Sequence, residues 1–157
     1  MEQGFSEQVW KASTPTFNSK ILGPHFETLA RIWTLQHAHA ILPEGLPGPV
    51  GTTEIPDPAA RTKHEVDVIA LAFGERPQSP RARIALLGEA KATPARRGMG
   101  DIQRLERIRD LLTEQGYDTN GVTLALFSLY GFHADVVELA RERRDLLLVG
   151  LETLYGL

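Results

Sequence analysis

The 157-residue sequence contains no cysteine, which removes disulfides, thiolate nucleophiles and thiolate-bound zinc together. Long apolar runs are missing too. The longest stretches without charge fall short of the ~18 apolar residues of a membrane span, and no basic-then-apolar leader opens the chain, so a soluble, cytoplasmic protein without a membrane partner is expected. No G-x-x-x-x-G-K-[ST] occurs, so the chain has no phosphate loop with which to be an ATPase itself. No G-x-S-x-G surrounds Ser128, which argues against a serine hydrolase. An excess of one charge sign is also lacking: 17 Lys and Arg stand against 20 Asp and Glu, a net charge of −3. Any contact with a polyanion must therefore come from a local basic patch.

What is present suits one globular domain with a sizeable core, since 42% of the residues are hydrophobic and a domain typically holds about 100–150 residues. Residues 1–22 keep no sustained period and read as an N-terminal arm or linker, a remnant of something longer, leaving 23–157 as the domain. From Pro24 to Ala40 the stripe Phe26, Leu29, Ala30, Trp33 predicts a helix. The five prolines of 43–60 exclude a second long helix but admit a short strand over Val50 to Ile55. "EVDVIALAF" (65–73) and "RIALLGEAKA" (83–92), joined by proline-rich turn chemistry, predict an antiparallel hairpin. Residues 101–115 follow as a helix with Ile102, Leu105, Ile108 and Leu112 on one face, ended by Gly116. Then come a strand (121–128), a helix (131–144), a strand (145–151) and a terminal turn. The order α, β, β, β, α, β, α, β predicts a central mixed sheet flanked by helices, parallel after residue 100 because helices there serve as crossovers.

The hairpin ends in charges. Side chains two apart on a strand share a face, so Glu89 and Lys91 point one way, as do Glu65 and Asp67. A symmetric hairpin sets Asp67 opposite Glu89 and Glu65 opposite Lys91, placing all four on one face. Two facing carboxylates repel unless a cation or proton sits between them. Hard oxygen ligands of this kind suit Mg²⁺ or Mn²⁺. Lys91 beside such an ion would orient or deprotonate a water, or stabilise charge on phosphorus oxygens. A lone E-x-K is commonplace as a surface ion pair. Here the same face continues as Ala85, Leu87, Ile69 and Leu71, and charges at the end of an apolar face point to a site.

These residues resemble the PD-(D/E)XK nuclease pattern, an Asp on one strand and E-x-K at the end of the next, on an αβββαβ core. Within that superfamily the stretches "GPHFETLAR", "HEVDVIAL", "GEAKAT", "LFSLYGF" and "LLLVGLETLY" are most similar to the nuclease-like C-terminal domain of archaeal-type AAA-class ATPases. The resemblance implies a restriction-endonuclease-like fold with an additional C-terminal helix and strand, and metal-dependent hydrolysis of DNA. It implies metal ligands at Asp67 and Glu89, a catalytic Lys91, and Glu27 as a further acidic residue from the first helix. The pattern's usual proline before the Asp is Val66 here. An i, i+4 surface pair with Arg31 explains Glu27 equally well. The resemblance also implies an AAA-class ATPase domain or chain as partner; a homodimer stays open.

From Lys91 to Arg109 six basic residues face two acidic ones, and Arg96, Arg97 and Arg104 are the candidates for contacting a phosphate backbone. A solvated loop and helix is the plainer account of that strip, and of Gln103. His37 and His39 are two apart on a helix and do not make a metal pair. His25 and His64 lie near Glu27 and Asp67, with solvent exposure the favoured reading for both. The rival to catalysis is an inactive nuclease-fold module that binds nucleic acid or docks on an ATPase.

Overall fold

The computed structural model describes residues 23–42 and 44–156; the arm expected over 1–22 lies outside them. Helix α1 (Gly23–Gln36) buries Phe26, Ala30, Trp33 and Thr34, the expected stripe. It stops short of Ala40. The helix is interrupted at His37, whose ring stacks on Trp33 with Nδ1 2.9 Å from the Trp33 carbonyl, the same oxygen that accepts the His37 backbone N–H. One further turn, α2 (Ala38–Ile41), follows.

The remaining elements are β1 (Val50–Asp57), β2 (Thr62–Leu71), β3 (Ile84–Lys91), α3 (Met99–Glu114), β4 (Thr123–Ser128), α4 (Ala134–Glu142), β5 (Leu146–Gly150) and the single turn α5 (Leu151–Leu154). The order matches the sequence reading, with the terminal turn helical and β1 two residues longer than expected. The strands form one sheet in the order β1-β2-β3-β4-β5. Pairing is antiparallel from β1 to β3 and parallel from β3 to β5. The protein is thus α/β, a five-stranded mixed sheet with helices on both faces. No helix among the described residues is long and apolar enough to cross a membrane.

Two cores account for the oily run of β3. On one face Leu87, Leu124 and Leu126 pack against Ile102, Leu105 and Ile108 of α3 and Val136 of α4. On the other, Val68, Leu86, Ala90 and Phe127 pack against Phe26, Ala30 and Trp33 of α1. A central strand covered on both sides has no polar face to alternate with. Seven of the eight β3 residues are accordingly buried, Glu89 among them.

A bulge shapes β2. Gly51 pairs with Ile69 but Thr53 pairs with Val66, so β2 carries one extra residue in the interval that holds Asp67 and Val68. Val66 packs with the α3-side core and Val68 with the α1-side core. The period-two rule that put Glu65 and Asp67 on one face does not hold across this point. Strand alternation fails where an extra residue enters.

Candidate active site

The β2–β3 register is the expected one over Val68–Gly88, Ile69–Leu87 and Ala70–Leu86. The ladder stops one residue before Asp67. There the Asp67 carboxylate replaces it, accepting the Ala90 N–H through Oδ2 at 2.8 Å. The expected pairing of Glu65 with Lys91 does not form: Glu65 is exposed and sits opposite Glu54 on β1, because the hairpin has already diverged.

Glu89 and Lys91 do share a face, with Nζ 3.5 Å from Oε1 of Glu89. Oε1 also takes a hydrogen bond from Nη1 of Arg104, one turn into α3. Oε2 is buried and has no hydrogen-bond partner among the described residues. Asp67 and Glu89 are 6% and 4% exposed. Burial holds the Glu89 carboxyl above its ordinary range, opposed by Arg104 and Lys91, with the charges of Asp101 and then Asp67 adding to the upward push. Burial raises Asp67 as well, against the Ala90 hydrogen bond and Lys91. Two buried carboxylates on neighbouring strands, one with an unpartnered oxygen, favour an added cation.

Glu27 reaches the same place from α1. Its carboxyl is raised by partial burial and then by the charge of Asp67. Arg31, offered as its surface partner, donates instead to the Asp67 carbonyl at 2.8 Å and to Thr28 Oγ1 at 3.2 Å. The structure thus gathers Asp67, Glu89, Lys91 and Glu27 at one end of the sheet. Among the described residues no three or more His, Cys, Asp or Glu side chains form a metal cage. The unpartnered Oε2 of Glu89 is the oxygen that could accept an ion, with Asp67 the nearest other buried carboxylate on the neighbouring strand, and Mg²⁺ commonly takes only one or two carboxylates.

The basic strip is mostly paired internally. Arg97 lies on Asp101 at 3.4 Å and Arg107 on Asp57 at 2.9 Å, while Arg109 contacts Asp110. Arg104 is on Glu89. Of the six, only exposed Arg96 has no carboxylate within 4.0 Å among the described residues. Gln103 is exposed on α3 and His25 on α1, as expected. His37 and His39 stay apart, ring centres 6.4 Å distant.

Sequence reasoning missed a second cluster. Asp57, 2% exposed, accepts two hydrogen bonds from Arg107, at 2.9 and 3.2 Å, and approaches His64 Nε2 at 2.9 Å. His64 is therefore held inward, not solvent-exposed as expected. The cluster ties the β1–β2 hairpin to α3. Its only trace in the sequence is the three-residue spacing of Arg104 and Arg107, which aligns two guanidinium groups along one edge of the helix.

No family model matches this sequence, and no curated protein does either. The crystal structure of a protein of unknown function, AF1548, aligns with 81% of this chain and 58% of its own, at 13% identity and a TM-score of 0.43. This chain thus spans under two thirds of that neighbour's length.

Proposed function

We propose that this domain is a metal-dependent nuclease that hydrolyses DNA phosphodiester bonds at Asp67, Glu89 and Lys91, with Glu27 at the rim and an ATPase domain or chain as its working partner. The observation that carries the reading is the buried, unpartnered Oε2 of Glu89, beside an ammonium group and a second buried carboxylate. Asp67 and Glu89 would hold Mg²⁺ or Mn²⁺, which would supply Lewis acidity toward a phosphate oxygen. Lys91, its side chain 38% exposed, faces the substrate side of that pair. Its ammonium orients the attacking water and stabilises charge developing on the phosphorus oxygens. The water oxygen bonds to phosphorus, the bond to the leaving sugar oxygen breaks, and the proton ends on that oxygen. Arg96 supplies the unpaired positive charge for the backbone.

A second reading, an inactive module that binds nucleic acid or an ATPase, is favoured by one observation: Arg104 already neutralises Glu89. Incubating the chain with plasmid and single-stranded DNA in Mg²⁺ or Mn²⁺, beside Asp67→Ala and Lys91→Ala, separates the two. Cleavage lost in both variants supports the nuclease. Cleavage unchanged in both removes it, and salt-sensitive binding without cleavage by any of the three supports the inactive module.

A further inference from the structure

We propose that Arg104 is a positioning residue that fixes Glu89 for a single divalent ion, standing where a second ion would otherwise bridge. The inference rests on the metal-dependent reading above and adds the stoichiometry of the site and the residue that sets it.

Arg104 is held from three sides. Nη1 donates to Glu89 Oε1 on β3 and Nη2 to the Glu65 carbonyl on β2 at 3.0 Å, while its backbone belongs to α3. One turn further on, Arg107 anchors α3 to Asp57 of β1 through two hydrogen bonds. The guanidinium is therefore a fixed part of the scaffold. Lys91 approaches the same Oε1 at 3.5 Å, so both local cations sit on one oxygen and Oε2 is left without a partner.

A two-ion site needs a carboxylate that spans metals about 3.5–4 Å apart. Glu89 cannot span them while Oε1 is occupied. Asp67 has Oδ2 engaged by the Ala90 N–H, which leaves Oδ1 as its open oxygen.

The test is the binding of Mn²⁺ to the full chain in the absence of DNA, by calorimetry for stoichiometry and by electron paramagnetic resonance for coupling between ions. Wild type is expected to bind one Mn²⁺ with an uncoupled spectrum. Arg104→Met, which removes the charge and keeps the length, is expected to bind two, with spin coupling. Arg104→Lys, which keeps a charge on Oε1, is expected to bind one. Two ions in wild type, or one ion in a folded Arg104→Met, overturns the role given to Arg104 and leaves the metal site standing. No Mn²⁺ bound by wild type overturns the metal-dependent reading itself. Should Arg104→Met fail to fold, Arg104→Gln takes its place, with two coupled ions expected and a single ion overturning the role.

Discussion

The carboxylate of Asp67 accepts the backbone N–H of Ala90 at 2.8 Å, just where the ladder between β2 and β3 has ended. One side chain thus carries the pairing one step past the end of the ladder. Asparagine still accepts that N–H through its carbonyl oxygen, whereas alanine leaves a buried donor without a partner. Asp67→Ala is therefore expected to destabilise the fold by about 1–3 kcal/mol, and Asp67→Asn by well under that. Both are expected to abolish metal-dependent cleavage. Thermal melts in chelator, run beside a cleavage assay, check this; equal stability of the two variants would show that the hydrogen bond contributes nothing.

Lys91 separates chemistry from stability more cleanly. Its ion pair with Glu89 is half open to solvent, and exposed pairs contribute at most about 1 kcal/mol. Replacing a group that stabilises transition-state charge typically costs about 10²–10³-fold in rate. Lys91→Gln is expected to show that loss in single-turnover cleavage with a melting temperature close to wild type. A rate within a few-fold of wild type would remove Lys91 from the chemistry.

The readable part of this fold is what hydrophobic period controls. The α3 stripe of Ile102, Leu105 and Ile108 and the apolar run of β3 fixed their elements, and the turn between β2 and β3 fixed the register of Val68 against Gly88. The bulge at Asp67 and Val68 left no such mark, because an inserted residue changes pairing without changing composition. Arg104 and Asp57 were illegible for another reason. A charged residue on a helix or beside a proline has the same local pattern whether it meets water or a carboxylate 50 residues away, as Arg107 and Asp57 are. Long-range ion pairs are a product of packing. Asp67, Glu89 and Lys91 stood out only because their charges interrupt an apolar face.

The Asp57 cluster predicts a pH dependence. Hydrogen bonds from Arg107, and then from His64, hold the Asp57 carboxyl well below the usual carboxylate range. A carboxylate depressed on folding stabilises the native state fully above its unfolded value of about 3.9, and that contribution is lost as pH falls through the folded value. Wild type should therefore exceed Asp57→Asn in melting temperature by a constant margin from neutral pH down to about pH 5. Below about pH 4 the margin should narrow. Melts of both proteins between pH 2 and pH 7 check this; a margin that stays flat throughout would mean the Asp57 charge has no preferential partner in the folded state.

Gly88 sets how closely the strands approach the site. A Cβ placed there would lie 3.0 Å from Cε2 of Phe127 on β4 and 3.2 Å from Cβ of Val68 on β2, and all three residues are in the sheet interior. Overpacking of this kind typically costs about 1–3 kcal/mol, or about 2–4 °C of melting temperature for each kcal/mol in a chain of this size. Glu89 is the next residue, so any shift of β3 that relieves the clash also moves the carboxylate toward or away from Arg104. A displacement near 1 Å at a reacting centre can lower a rate about 100-fold. Gly88→Ala is therefore expected to melt lower than wild type and, in its folded fraction, to cleave more slowly. Shortening the opposing ring gives the added methyl its room, so Phe127→Leu in the Gly88→Ala background should cost less than the two single changes added together. Strict additivity would mean that the ring is not what excludes a side chain from position 88.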